Sequence, residues 1–194
     1  MEKAMMGERL KLARKRKGMS LRALSDNLKD VVSAQAIGKY ERDEMTPSSK
    51  VLIGLSKALD VPIGFLMVPM DIRLNNVEFR QVISKVGAKD KAFVRAKVIE
   101  HVERYLMIEE IIGVKDSGKV LPVSSKQPAS PADVEKLACQ IRDKWNLGQD
   151  PIPDMTELLE EKGFKIIMLD LPHDVSGLTC LVTGRGEDTI PAIL

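Results

Sequence analysis

The stretch MSLRALSDNLKDVVSAQAIGKYER, residues 19–42, decides the fold of this chain. Serine is a preferred residue for capping helix N-termini, and Ser20 and Ser33 each precede apolar residues at helical spacing. The pattern predicts one helix from Leu21 to Leu28 and a second from Ala34 to about Arg42. A short turn joins the two, so this stretch is predicted to form a pair of adjacent helices.

Helical spacing of apolar residues predicts three further helices around this pair. The first spans Gly7 to Lys17, and the fourth runs from about Ser48 to Leu59. Pro62 begins a short fifth helix that holds Ile63, Leu66 and Met67. Residues 1–70 are therefore predicted to form a compact all-α unit of five helices.

The next segment, residues 71–112, is predicted to connect this unit to the rest of the chain. Residues 77–80 fit either a short strand or an extended linker. A long amphipathic helix is predicted from about Lys89 to Ile112. Its apolar stripe is either a dimer seam or a face packed within its own chain. The stripe consists of Val94, Val98, Val102, Tyr105 and Leu106.

Glycine, proline and serine are frequent in residues 113–131, which predicts a linker and a domain boundary.

Ser130 and Pro131 are predicted to open a helix that runs to about Trp145, and residues 151–163 are predicted to form another. Branched apolar residues predict strands at 164–169, 178–182 and 189–194, the last two joined by a loop at 184–188. Residues 132–194 thus read as a partial α+β domain. Because the last strand is cut short, we expect a fragment or a naturally shortened protein.

The charge of the chain is unevenly distributed. The formal net charge is only +2, yet residues 1–70 hold 13 Lys and Arg against 8 Asp and Glu. Such a basic N-terminal module favours an anionic partner, nucleic acid first, although charge alone does not exclude a solvated helix face. The basic residues of its first helical region are Lys3, Arg9, Lys11, Arg14, Lys15, Arg16 and Lys17.

Composition excludes several classes of protein. No apolar run is long enough to cross a membrane, and the N-terminus has no secretory signal core. The two cysteines, Cys139 and Cys180, are too far apart for a CxxC metal clip and fit a reducing compartment. We therefore expect a cytoplasmic protein that does not bind membranes.

Several motifs span residues 7–67. They are Gly7-x-x-Leu10 with Arg14, Met19-Ser20-Leu21-x-x-Leu24, Val32-Ser33-x-x-x-Ile37-x-x-Tyr40-Glu41-Arg42, Pro47, and Leu52-x-x-Leu55-x-x-Ala58-Leu59-Asp60-Val61. In these motifs the segment resembles the lambda-repressor/Cro-like (XRE) helix-turn-helix family. The resemblance implies a five-helix DNA-binding domain and a recognition helix over Ala34–Arg42, which would enter the major groove.

The resemblance also implies which residues meet DNA. Gln35 is expected to pair with adenine, and Lys39 with guanine or a phosphate. Arg14 and Glu41 resemble a structural salt bridge between the first and third helices. The base-contacting residues implied are Ser33, Ala34, Gln35 and Lys39. The phosphate-contacting residues implied are Ser20, Leu21 and Arg22, at a helix start, with Lys17 and Lys50.

This sequence departs from the family pattern at three places. The turn Lys29-Asp30-Val31-Val32 is about two residues longer than usual, and Ser25 stands where alanine is common. Asp43-Glu44 replaces the usual glycine. We expect the added negative charge to weaken non-specific attraction to phosphates.

The C-terminal motifs are Ala138-x-x-Ile141-Arg142-x-Lys144-Trp145-Asn146-Leu147-Gly148, residues 151–160, Gly163 and residues 174–178. From Val134 the chain in these motifs resembles the opening of the ImmA/IrrE-like metallopeptidase domain. That chemistry needs HExxH on a helix, two histidines for zinc and a glutamate as general base. His101 lacks a second histidine four residues on, and His173 lies in a predicted loop. We expect no catalytic residue, metal ligand or cofactor in this chain.

These observations favour one function and leave two alternatives. The favoured one is a repressor-like transcriptional regulator that binds a pseudo-palindromic double-stranded DNA operator as a homodimer. One alternative is the DNA-targeting, regulatory part of a longer zinc metallopeptidase. The other is a sensor whose C-terminal segment binds a small effector or a protein partner.

Overall fold

The computed structural model of the chain describes residues 6–29, 31–81, 86–114, 129–184 and 189–194. Its N-terminal part is helical, as the sequence predicts. Ser20, Ser33 and Ser48 cap the second, third and fourth helices, and each side chain accepts a hydrogen bond from a backbone N–H. The helices are α1 (Met6–Arg16), α2 (Leu21–Asn27), α3 (Ala34–Glu41), α4 (Ser49–Leu59) and α5 (Ile63–Met67).

These helices enclose a single apolar core. Every helix from α1 to α5 contributes at least one side chain that is fully buried. Burying a large aliphatic side chain stabilises a fold by about 1.5–3 kcal/mol, so this core holds the helices together. The fully buried large side chains are Leu10, Leu24, Ile37, Leu55, Leu59 and Leu66.

A mixed sheet and more helices follow. The elements are β1 (Arg73–Gln81), α6 (Ala88–Ile112), α7 (Pro131–Trp145), α8 (Met155–Glu161), β2 (Lys165–Ile166), β3 (Val175–Thr183) and β4 (Thr189–Ile193). The strand order is β1-β3-β4-β2, with β3 antiparallel to both its neighbours and β2 parallel to β4. Helix α7 begins and ends at the predicted residues. The predicted strand 164–169 is shorter, and helix 151–163 starts later, at Met155.

The ambiguity at residues 77–80 is resolved in favour of a strand. Strand β1 pairs with β3 from Arg73 opposite Thr183 to Gln81 opposite Val175, with two register shifts. The connecting segment and the C-terminal segment therefore share one sheet. The predicted domain limits stay a prediction, because residues 115–128 of the linker and 185–188 of the hairpin loop lie outside the described residues.

The apolar stripe of α6 packs within its own chain. Val94, Val98 and Val102 are buried against the sheet, where they join Leu178 and Val182 in a second core. A dimer seam through these valines is excluded, because a partner could not reach them. On the same helix, Glu109 Oε1 lies 2.7 Å from the buried Lys165 Nζ of β2, an ion pair that holds α6 to the sheet edge.

None of the helices in the described ranges combines the length and the apolar character that a membrane span requires.

Candidate nucleic-acid interface

Helices α2 and α3 are positioned by their N-caps and by the turn between them. The Ser20 hydroxyl accepts a hydrogen bond from the Ala23 N–H at 3.0 Å, and the Ser33 hydroxyl accepts one from Ala36 at 3.2 Å. Each cap satisfies one of the N–H groups that a helix start leaves without an intrahelical acceptor. Both serines remain exposed beside their caps.

Ser25, which stands where alanine is common in the family, forms a hydrogen bond across the longer turn between α2 and α3. Ser25 is buried, and its hydroxyl donates a 2.7 Å hydrogen bond to the Val32 carbonyl oxygen. Lys29 adopts a left-handed backbone conformation at φ 54°, as the chain leaves α2. Alanine at position 25 would leave the Val32 carbonyl without this hydrogen bond. The serine therefore stabilises the longer turn. Asp30 lies outside the described residues.

Helix α3 has one buried and one exposed face. Ile37 and Tyr40 are buried in the core, whereas Gln35 and Lys39 are exposed. Residues four apart lie on the same side of a helix, so the last two share one face. Ser33 is exposed at the start of this helix and Ala34 is half-buried. The predicted base-contacting residues are thus grouped at the N-terminal part and the outer face of α3.

Arg42 extends this exposed face by another turn, although it is not among the DNA-contacting residues predicted from the sequence. It lies seven residues after Gln35, which is two helical turns, and this spacing could have identified it. Its guanidinium pairs with Glu44 in the exposed part of the surface, with Nε 2.6 Å from Oε1 and Nη2 2.9 Å from Oε2. These hydrogen bonds from Arg42 lower the pKa of the Glu44 carboxyl below its ordinary value.

Asp43 and Glu44, the acidic residues that depart from the family pattern, both accept hydrogen bonds from groups of their own chain. Asp43 takes the left-handed conformation at φ 53°, which glycine adopts most readily and aspartate tolerates. Asp43 Oδ1 accepts a 2.9 Å hydrogen bond from the Gly7 N–H, at the start of α1. A Cβ atom on Gly7 would lie 2.6 Å from the Glu41 carbonyl oxygen. Only glycine permits this close approach of α1 to the end of α3.

Arg14 of α1 lies against Glu41 of α3 in a two-pronged ion pair. Arg14 Nε is 2.5 Å from Glu41 Oε1, and Nη2 is 2.7 Å from Oε2. Nη1 donates to the Met19 carbonyl at 2.8 Å. The two side chains are only 5% and 6% exposed. This pair fixes α1 to α3 from inside the domain and presents nothing to a ligand.

The predicted phosphate-contacting residues have different surroundings. Arg22 and Lys50 are exposed near the starts of α2 and α4. The side chain of Leu21 is half-buried and packs over Gly38, so only its backbone N–H can serve a phosphate. Lys17 Nζ lies 3.3 Å from Asp60 Oδ2, at the end of α4. Of these residues, Lys17 alone is seen with an acidic partner in the part of the chain that the structure describes.

Several basic side chains of α1 form ion pairs with acidic residues of the same chain. Buried Arg9 pairs with Glu103 of α6 and donates to the Val68 and Pro69 carbonyls at 2.9 and 2.7 Å. Arg16 Nη1 lies 2.7 Å from Glu100 Oε1, also on α6. The hypothesis that this charge serves an anionic partner is therefore wrong for these arginines. They dock the helical domain on α6 instead.

The histidines and cysteines lie apart from this interface. His101 is exposed on α6 and His173 is exposed between β2 and β3. Burial raises the pKa of the Cys180 thiol to about 11, so it stays protonated and unreactive near neutral pH. Within the described ranges, no three His, Cys, Asp or Glu side chains are grouped as a metal ion would require.

Comparison with known proteins agrees with the N-terminal part of this description. A helix-turn-helix family model matches residues 10–66, which run from α1 through most of α5. No curated protein and no solved structure matches the chain. Nothing in these comparisons supports the resemblance of the C-terminal segment to ImmA/IrrE-like domains. Residues 10–66 are an XRE-like helix-turn-helix domain, which indicates a DNA-binding transcription regulator.

Proposed function

We propose that this protein is a sequence-specific, repressor-like regulator that binds double-stranded DNA through α3. The observation that carries the proposal is the exposed row from Gln35 through Lys39 to Arg42, set on a helix whose opposite face is locked in the core. A rigid helix with polar side chains on one face is what the major groove admits. The helix-turn-helix match over residues 10–66 supports the same reading.

In this proposal the N-terminal part and the outer face of α3 read bases. The Gln35 side chain donates from its NH2 group to adenine N7 and accepts from adenine N6–H at its amide oxygen, a two-bond contact, and Lys39 donates to guanine or to a phosphate. Ser33 and Ala34, at the start of the helix, come closest to the base edges. The Ala34 methyl group suits the methyl of a thymine.

Phosphates position the domain on the duplex. The N–H groups of Ser20, Leu21 and Arg22 lie at the start of α2, and the cations of Arg22 and Lys50 are exposed nearby. Lys17 can bind a phosphate only when its ion pair with Asp60 is broken. Arg42 adds a further cation at the end of the exposed row when its ion pair with Glu44 is replaced by one with a phosphate.

A dimer is the form expected to act. Two copies of α3, related by two-fold symmetry, would read two half-sites about 34 Å apart on a pseudo-palindromic operator. The C-terminal segment remains available for an effector or a protein partner. We propose no enzymatic activity, since the 194 residues contain no HExxH sequence. The metallopeptidase alternative would need that motif elsewhere in a longer protein.

Replacing Gln35 by alanine tests the reading of bases. We expect the variant to fold normally, because the side chain is exposed, and to lose preference at one base pair of each half-site. A two-bond amide contact contributes about 1–3 kcal/mol of discrimination, so preference falls about 5- to 150-fold. Selection of bound duplexes from a random pool, followed by sequencing, measures the change.

Gln149→Ala is the matched control, since it removes an exposed glutamine outside the helix-turn-helix domain. It should select the same sequences as the unaltered protein. The proposed role of Gln35 is wrong if Gln35→Ala also selects that unchanged set. The proposed function itself fails if the unaltered protein enriches no sequence.

A further inference from the structure

The C-terminal end of α6 carries a second apolar surface that faces solvent. Met107, Ile108, Ile111 and Ile112 are 55%, 58%, 76% and 65% exposed. Residues four apart on a helix are neighbours, so these side chains form two adjacent rows. They supply on the order of 500 Å² of mostly apolar surface, which is in the range of the largest apolar patch on a typical monomer, and such patches are often functional. We call these four residues the α6 end patch.

In the described part of α6, Glu109 and Glu110 flank the α6 end patch, and Glu110 is exposed beside Met107. Glu109 is directed away from the patch, because its carboxylate pairs with the buried Lys165 of β2. The valines of the same helix are directed to the sheet. The end patch is therefore distinct from the stripe that the sequence analysis singled out. It contains no residue of α2 or α3.

We propose that a second copy of this chain covers the α6 end patch, so that the two α6 helices pack antiparallel in a dimer. The inference rests on the proposed function, because a pseudo-palindromic operator presents two half-sites to two recognition helices. About 500 Å² is more than half of the roughly 800 Å² that each partner contributes to a standard interface. Val114, which is 51% exposed just after α6, adds apolar surface next to the patch.

The arrangement of the patch fits two-fold symmetry. In an antiparallel pair, Ile108 of one copy lies opposite Ile111 of the other, and Met107 lies opposite Ile112. Every apolar side chain of the patch then meets another apolar side chain.

The charges beside the patch favour the antiparallel direction. Arg104 is 65% exposed one turn before Ile108, although it also reaches Glu100 of its own helix. In the antiparallel pair it lies beside the C-terminal end of the second α6, where the helix dipole is negative. A parallel pair would place Arg104 beside Arg104 and Glu110 beside Glu110.

The test is the mass of the DNA-free full chain as a function of concentration, by light scattering and by sedimentation. The unaltered protein should shift from monomer to dimer mass as concentration rises. Ile111→Asp should raise the dimer dissociation constant about 30-fold or more, the effect expected at the centre of an interface. Met168→Asp is the matched control, since Met168 is 75% exposed outside the patch, and should leave the constant unchanged.

Two results would overturn the proposal. One is an unaltered protein that stays monomeric at every concentration, which would leave the patch to another occupant. The other is a dimer that Ile111→Asp does not weaken. Circular dichroism of both variants checks that each is folded, as expected for exposed positions.

A cross-linking experiment tests the antiparallel register. In a Cys139→Ser background, Ile108→Cys and Ile111→Cys proteins are mixed under mild oxidation. Disulfides between the two different variants should exceed those formed within either one alone. Equal yields would contradict the register.

The failure of this inference can be told from the failure of the proposed function. Ile111→Asp should still bind a single half-site, because its α3 is unchanged. A protein that dimerises through the patch but binds no duplex would refute DNA binding and leave the dimer surface standing.

Discussion

Replacing Arg14 by alanine is expected to lower the free energy of unfolding of the helix-turn-helix domain by about 3–5 kcal/mol. The substitution leaves the Glu41 carboxylate buried without its two hydrogen bonds from Arg14, and removes the donor to the Met19 carbonyl. A buried charge that loses its partner bears the full cost of its lost hydration. Chemical denaturation, followed by circular dichroism at neutral pH, measures the loss.

Two further variants separate this mechanism from a general loss of packing. Arg42→Ala removes an arginine that also pairs with a glutamate, but on the exposed surface, and should change stability little. The double variant Arg14→Met with Glu41→Leu removes both charges and should recover much of the stability. A double variant no more stable than Arg14→Ala would show that the unpaired carboxylate is not the cause.

Replacing Glu103 by alanine is expected to lower the free energy of unfolding by about 3 kcal/mol and to weaken the contact between the helix-turn-helix domain and α6, which Arg16 and Glu100 still hold. Arg9 is 2% exposed, and Glu103 is the acidic partner the structure gives it. The Val68 and Pro69 carbonyls and the Phe65 ring, 5.1 Å from the guanidinium, cannot balance the full charge. Hydrogen exchange should accelerate along the contact between α1 and α6.

The control for this prediction is Glu135→Ala, which removes an exposed glutamate from α7. Its exchange pattern and stability should match those of the unaltered protein. If Glu103→Ala leaves exchange in α1 and α6 unchanged, the ion pair does not hold the two parts together.

Local signals in the sequence were sufficient for much of the helical domain. Ser20 and Ser33 cap the helices that they were predicted to start, and Leu24 and Ile37 lie in the core as their spacing indicates. Ser130 and Asp133 form a capping box at the predicted start of α7. In each case the signal lies within one helical turn of the structure that it determines.

Contacts between distant segments could not be predicted. The partners of Arg9 and Arg16 lie 94 and 84 residues away, so no local pattern links these arginines to α6. The same limit applies to β1, whose residues 77–80 read as strand or linker until β3 is seen beside them. Charge counting therefore assigned to a ligand some arginines that the fold itself uses.

The candidate site was predictable only in part, for the same reason. The family resemblance implied that Gln35 and Lys39 face outward, and their helical spacing agrees with it. The same spacing would have added Arg42 to that face. The role of Ser25 depends on a hydrogen bond across the turn, seven residues along the chain.

The most direct test of DNA binding is a mobility-shift titration on the DNA upstream of the coding sequence, repeated at several salt concentrations. Arg22, Lys39, Arg42 and Lys50 provide four cations per copy on or near α2, α3 and α4. A dimer using most of them would neutralise about 6–8 phosphates, and its affinity should fall about 10³- to 10⁴-fold between 50 and 200 mM salt. Absent binding to every duplex tried, or an affinity that salt leaves unchanged, would contradict the account.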